Sequence, residues 1–376
     1  MKTQHGAQRF AFPAGKRRLL LSTLCILSLM FRSGAVGQSG PDTLQGAKFE
    51  ILPILSYDTD AGTGFGAKAF LLNSLGGRES FDVVLFLSTK GEQWYRMVFS
   101  APDFEQRQGT LYPVALDLTV DYDKWITYKF FGVGNASPYE DPETYTREPL
   151  EISAMVSRGF LRHVVGQAGI RVRRSSNVDV GERLQSLPPP ENASVANSIG
   201  FLLSGRFDSR SSFVNPSSGA VVQLDLEMAP EMLWSNVQYV RTALLLQYYT
   251  EVGWRRSVLA FRGGMEVLFG PELPVQMLTA IGGSKTVRGS VQDRFLDRIG
   301  AVVNVEWRLP LFWRFGAIVG ADAGKVWHDA GEIDLQRWAF NPVLGLRLYM
   351  DTFVVRADFG FGKESTGFYL NFGQLF

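Results

Sequence analysis

The sequence predicts an all-β fold: a transmembrane antiparallel β-barrel of about sixteen strands with a long loop folded into its lumen. Three observations lead there. Apolar and polar residues alternate with period two through segments of about ten residues, the length a tilted strand needs to cross a bilayer and longer than most soluble strands. An export-type leader opens the chain. No apolar run beyond it reaches the roughly 18 to 20 residues of a spanning helix, which excludes a polytopic helical membrane protein. Composition agrees: 39 Gly, 28 Phe, 12 Tyr and 8 Trp suit tight turns and many exposed rings, and a net charge of +1 gives no electrostatic ground for binding nucleic acid.

Taken in order, the leader is residues 1–37. Lys16, Arg17 and Arg18 precede the apolar run Leu19–Phe31, and Gly34, Ala35 and Gly37 supply the small residues before a cut near Gln38. That run is too short to span comfortably, so a cleaved signal peptide is expected rather than a retained anchor. The single cysteine, Cys25, lies inside it; Leu24 is not the small residue that lipidation requires, so the exported chain is expected to carry no thiol or disulfide. A short segment, 38–47, leads into the barrel, 48–376.

Strands are expected near 48–57, 62–73, 80–90, 93–101, 111–123, 148–159, 162–174 and 197–208, and then near 218–228, 238–251, 256–269, 298–310, 314–327, 338–350, 352–361 and 367–376. The clearest of them sets Val114, Leu116, Leu118, Val120 and Tyr122 on one face against Ala115, Asp117, Thr119 and Asp121 on the other. Long connections at 124–147, 175–196 and 270–297 each follow an odd-numbered strand, so they emerge at one end, as extracellular loops do. In the last segment Phe368, Leu370, Phe372, Gln374 and Phe376 share a face. A terminal aromatic on an amphipathic strand is what outer-membrane assembly machinery commonly recognises, which marks Phe372 and Phe376 as a C-terminal strand signal. Alternation alone leaves a soluble sandwich open, in which a second sheet would cover the apolar face.

Four ordered motifs stand in the second half: Ile281-Gly282-Gly283, Val287-Arg288-Gly289-Ser290, Val303-Asn304-Val305-Glu306-Trp307-Arg308-Leu309-Pro310 and Gly320-Ala321-Asp322-Ala323-Gly324-Lys325-Val326-Trp327. Upstream are Phe131-Gly132-Val133-Gly134-Asn135 and Asp208-Ser209-Arg210 with Pro216 and Gly219. With these the chain resembles the Omp85 superfamily, also called the bacterial surface antigen D15 family, at low density over essentially the whole exported chain. Period two puts Glu306 with Asn304 and Arg308, and Asp322 with Gly320 and Gly324, on faces that can point inward; ordinary lumenal charges without mutual contact would give the same pattern. The resemblance implies more, namely that Arg288, in the loop motif Val287-Arg288-Gly289, is clasped by Glu306 and Asp322. Gly289 would allow a tight turn, and Gly320 and Gly324 would leave room for the loop backbone. An aromatic usually follows the arginine–glycine pair in that family; Ser290 stands here, so the loop tip is expected to be anchored differently. Transport members carry periplasmic POTRA domains, for which 38–47 is too short, so a POTRA-less barrel is expected, relying on a separate partner for any assembly role.

Nothing in the sequence points to an enzyme, a metal or a cofactor. His163 and His328 lack a second histidine at metal spacing, and Gly37-Gln38-Ser39-Gly40 only approximates a nucleophile elbow. Gly282-Gly283-Ser284-Lys285-Thr286 lacks the glycine directly before lysine and the strand-to-helix context of a phosphate loop. Trp125, Tyr128, Phe130 and Phe131, with Trp234, Trp254, Trp307, Trp313, Trp327 and Trp338 near strand ends, suit aromatic girdles at the lipid–water interfaces. Arg158, Arg162, Arg171, Arg173 and Arg174 give two strands a basic character that would steer anions or solvate the lumen wall. The expected setting is the outer membrane of a Gram-negative bacterium, with lipid, client polypeptides and an accessory outer-membrane or periplasmic protein as partners. The resemblance implies insertion or translocation of protein or lipid, aided by a weak seam between first and last strands. The alternative is a passive pore or structural barrel that binds an accessory protein.

Overall fold

The computed structural model describes residues 46–376 apart from 108, 254–255, 272 and 351–352. The leader 1–37, most of segment 38–47 and Trp254 therefore lie outside the described residues. Sixteen antiparallel strands close into a barrel, each bonded to its neighbours in sequence except where the last meets the first. They are β1 (Lys48–Asp58), β2 (Gly62–Leu72), β3 (Ser80–Ser88), β4 (Glu92–Ala101), β5 (Tyr112–Phe130), β6 (Glu143–Leu161), β7 (Val164–Val178) and β8 (Val195–Asp208). β9 (Gly219–Ala229), β10 (Tyr239–Val252) and β11 (Ser257–Phe269) continue the wall, and β14 (Ile299–Pro310), β15 (Phe315–Trp327), β16 (Ala339–Tyr349), β17 (Val354–Phe361) and β18 (Thr366–Phe372) complete it. Between β11 and β14 a short hairpin, β12 (Thr279–Ile281) and β13 (Phe295–Asp297), forms a separate two-stranded sheet that the sequence did not announce.

Period-two patterning builds this wall because successive side chains of a strand point to opposite faces. On β14, Val303 and Trp307 are exposed on the outside while Asn304, Glu306 and Arg308 are buried inside. β15 and β16 repeat the scheme, with Val319, Leu344 and Leu346 outward and Asp322, Asn341 and Arg347 inward. No second sheet covers the apolar outside among the described residues, so the sandwich alternative is ruled out. A closed barrel leaves no free backbone groups except at its seam, the condition for crossing hydrocarbon with strands.

Three boundaries differ from expectation. β5 and β6 run well past 123 and start well before 148, because Tyr128, Lys129 and Phe130 pair with Tyr145, Thr144 and Glu143 beyond a register shift at Trp125. β18 stops at Phe372 because Gly373 takes a left-handed φ of +84° that no strand continues. The long connection 270–297, by contrast, turns inward as expected. Ile281, Val287 and Phe295 pack on the inward Val302 and Val326, while Leu273 and Met277 pack on Tyr239 and Leu268.

Candidate functional site

Arg288 is the anchor of this inner loop and is completely buried. β14 presents Glu306, β15 presents Asp322 and β17 presents Asp358 at matching depth, because each lies on the inward face of its strand. Arg288 Nε and Nη2 donate to the two Asp322 oxygens at 2.7 and 2.9 Å, while Nη1 donates to Glu306 at 2.8 Å and Asp358 at 2.9 Å. Its backbone N–H also donates to Asp322, at 3.0 Å. A planar guanidinium with donors in a fixed fork fits this arrangement; a lysine would not.

The carboxylates are shared with other arginines. Glu306 accepts from Arg308 at 3.0 Å and Arg347 at 3.3 Å; Asp358 accepts from Arg347, and from Arg356 at 3.4 Å. Four arginines and three side-chain carboxylates are thereby linked in one buried network. Such a buried cluster is no better for stability than well-packed apolar residues of similar volume, but breaking one member is costly, so it fixes where the loop sits.

The backbone of the loop is held as tightly. A Cβ on Gly324 would stand 2.8 Å from both Ile281 and Val287 side chains, and one on Gly360 would stand 2.3 Å from the Arg288 carbonyl carbon and 2.4 Å from the Gly289 nitrogen. Gly324 therefore makes room for the loop's side chains and Gly360 for its backbone; Gly320 instead faces the Val305 carbonyl of the adjacent strand. Gly289 takes φ +94°, the turn that lets the chain leave Arg288. At Ser290, where the family's aromatic is missing, Asn341 Nδ2 reaches both the Ser290 hydroxyl (3.0 Å) and the Arg288 carbonyl (2.9 Å).

A second arginine was not foreseen. Arg294 is buried against the rings of Phe131 (4.8 Å), Tyr139 (5.7 Å) and Phe295 (4.8 Å) and donates to Glu364 at 2.7 and 2.9 Å. The Phe131–Asn135 motif crosses to meet it. Gly134 N–H donates to the Leu296 carbonyl (2.8 Å), and the Asn135 amide pairs with both backbone groups of Val326 (2.6 and 3.0 Å). Trp125, Tyr128, Phe130, Phe131 and Trp327 are therefore buried beneath the long loops and belong to no girdle, whereas Trp234, Trp307 and Trp313 are exposed as girdle residues would be. Alternation could not separate these sets, because a ring fits a dry lumen cap as well as a lipid interface. The basic strands also divide: Arg171 and Arg173 meet Glu227 (2.8 Å) and Glu151 (2.7 Å) in the lumen, while Arg158 and Arg174 are exposed. His163 lies at an exposed turn, where Nδ1 contacts the Asp208 carbonyl at 2.9 Å, and His328 contacts Asp297 at 3.2 Å.

The other feature of the site is the seam. β1 pairs with β2 along its whole length, but with β18 only at Tyr57↔Leu370 and Asp58↔Tyr369. Three bonds extend this zipper at the long-loop end: Thr59 N–H and Oγ1 each to the Phe368 carbonyl (3.2 Å), and Phe368 N–H to Thr59 Oγ1 (2.7 Å). Toward the other end, the β1 edge from Lys48 to Ser56 meets no strand among the described residues. After Gly373 the chain turns inward. Phe372 remains on the outer face, but Phe376 is buried near Tyr249 with its main-chain oxygen held by Arg308 Nη2 at 2.6 Å. Phe372 and Phe376 thus do not share a face.

The Omp85 superfamily domain model matches residues 73–376. Among curated proteins no match is found. Of the solved structures similar to this chain, BamA from Haemophilus ducreyi lacking POTRA domains 1–3 is 13% identical, with a TM-score of 0.63 over 87% of this chain and 70% of that one. CdiB from Acinetobacter baumannii is 17% identical, with a TM-score of 0.56 over 88% of this chain and 66% of that one. CdiB from Escherichia coli is 11% identical, with a TM-score of 0.60 over 88% of this chain and 68% of that one. At these identities the structural likeness carries the fold alone.

Proposed function

Because the chain belongs to the Omp85 superfamily, whose barrels are outer-membrane proteins of Gram-negative bacteria, we propose that it is exported by the leader 1–37 and inserts or translocates polypeptide at that membrane through the β1–β18 seam. The barrel 48–376 is the working unit in this reading, preceded by the short segment 38–47. In this reading a separate periplasmic protein would deliver the client. The observation that carries the reading is the unpaired β1 edge.

A backbone N–H or C=O left without a partner in hydrocarbon costs several kcal/mol, against about 0.5 to 1.5 kcal/mol net for a hydrogen bond formed in water. The β1 edge from Lys48 to Ser56 therefore favours any strand that can pair with it, and an extended client segment supplies its own unsatisfied groups. Two register pairs are a weak competitor for that edge. The Arg288 cluster acts elsewhere: it holds the loop on β14, β15 and β17, so the wall beside the seam keeps its shape while the seam exchanges partners.

The test locks the seam. Tyr57→Cys with Leu370→Cys places thiols on directly opposed residues, within reach of a disulfide. Purified barrel in liposomes is mixed with an unfolded eight-stranded outer-membrane barrel, and folded client is followed by its heat-modifiable gel mobility. The unlocked protein is expected to accelerate folding, the oxidised pair to abolish the acceleration, and reductant to restore it. Equal acceleration with the seam locked overturns the reading, as does no acceleration by the unlocked protein. Steady, large conductance in planar bilayers by the intact barrel would favour the passive pore instead.

A further inference from the structure

Between Gly289 and Arg294 the inner loop touches both margins of the seam. On the β18 side, Gly289 N–H donates to the Tyr369 hydroxyl at 3.0 Å, Ser365 Oγ donates to the Gly289 carbonyl at 2.6 Å, and Arg294 reaches Glu364. Ser365 and Glu364 lie in the turn from β17 to β18. On the β1 side, Gln292 N–H donates to Asp60 Oδ2 at 2.8 Å, and Asp60 lies in the turn from β1 to β2. Asp60 is steadied by Lys129 of β5 at 3.8 Å, and the same turn by Lys90 Nζ on the Thr59 carbonyl at 2.6 Å.

The direct bonds of the seam are few and confined to this end, at Tyr57, Asp58 and Thr59. The loop tip runs alongside them, and its own position is fixed independently by the buried Arg288. A rigid body bonded to both sides of a short zipper adds its contacts to the cost of opening it. We infer that the loop tip is a strap across the seam: the last pairs of β1 and β18 part only when Gln292 leaves Asp60, or when Gly289 leaves Tyr369 and Ser365 and Arg294 leaves Glu364. The inference rests on the reading of the seam as the working edge. It assigns the loop a role there that the Arg288 cluster alone does not have, because Glu306, Asp322 and Asp358 all stand on strands to one side of the seam.

The strap orders the movements of the barrel. Strand exchange can start at the free end of β1, from Lys48 upward, with the strap closed. Complete separation of β1 from β18 requires the strap to release. A hydrogen bond to a charged group is worth more than a neutral one, and Gln292 N–H to Asp60 is the loop tip's bond on the β1 side, so its loss shifts the open-to-closed ratio by about tenfold or more.

The experiment labels Leu55→Cys on β1 and Phe372→Cys on β18 with nitroxides, both exposed on the outer face. Cys25, the single native cysteine, is changed to serine. Distances are measured by pulsed electron resonance in lipid nanodiscs, with folding verified by heat-modifiable mobility. The parent is expected to give one dominant distance. Asp60→Ala is expected to add a longer population about tenfold above the parent's, Asp60→Asn a smaller one, and Ser365→Ala an increase from the opposite margin. If Asp60→Ala fails to fold, Ser365→Ala and Asp60→Asn decide. Unchanged distances in folded variants overturn the strap. The same variants in the client-folding assay separate the two readings. A shifted distance with no effect on client folding keeps the strap and removes the insertion role; altered client folding with unshifted distances does the reverse.

Discussion

Replacing Arg288 with alanine tests whether one buried guanidinium holds the loop. Its loss is not shared equally. Glu306 keeps Arg308 and Arg347, and Asp358 keeps Arg347 and Arg356. Asp322 loses both Nε and Nη2 and is left with Asn304 Nδ2 at 2.8 Å and the backbone N–H of residue 288 at 3.0 Å. Leaving a buried carboxylate without its cation costs about 3 to 5 kcal/mol. At roughly 2 to 4 °C per kcal/mol, the midpoint of heat-modifiable mobility should fall by on the order of 10 °C. Arg288→Lys should recover only part, because an ammonium cannot address three carboxylates in one plane. The decisive comparison is the double variant Arg288→Ala with Asp322→Asn. Removing the stranded charge should make it more stable than Arg288→Ala alone, a coupling of about 0.5 to 3 kcal/mol. Additive losses, or an unchanged midpoint in Arg288→Ala, would refute the reasoning.

Two further outcomes follow from the loop. Gly360→Ala should unseat the Arg288–Gly289 backbone, since the new methyl would lie within 2.4 Å of main-chain atoms; limited proteolysis should then cut the 282–294 segment, which stays resistant in the parent and in Gly205→Ala, where a Cβ meets open space. Asp293 accepts from Tyr128 and Gln292, and burial, followed by the charges of Asp123 and Asp60, pushes its pKa up to about 7. The folded state then holds a proton that the unfolded chain releases near pH 4, so its contribution is present at low pH and is lost as pH rises through about 7, on the order of a few kcal/mol. Asp293→Asn should flatten the difference in unfolding midpoint between pH 5.5 and pH 8; equal differences in parent and variant would assign the pH dependence to other groups.

Much of the barrel was legible because its physics is local. Period two is a property of each strand, and hydrocarbon outside with polar lumen inside makes it visible residue by residue, as Val303, Glu306 and Trp307 illustrate. Boundaries were less legible where pairing overrode composition. Charged residues at 124 and 129 look like loop, yet they belong to β5 because β6 supplies partners there. Glu306 and Asp322 were reached through the family resemblance. Asp358, which Arg288 also holds, sat on an equally plain alternating face, but nothing in the sequence set its depth in the lumen.

What the sequence alone determined is the alternation along most strands and hence the class of fold, since alternation and segment length are written in the chain itself. It also carried the inward charges and the glycines that allow close approach. Only the tertiary structure decided how far each strand pairs, so it alone revealed the open β1 edge, the inward turn of Phe376 and the reach of the loop tip to Asp60 and Tyr369. The physical reason is that register and closure depend on partners more than 200 residues apart, as between Asp60 and Gln292, |i−j| = 232, and no local pattern encodes a distance across a lumen.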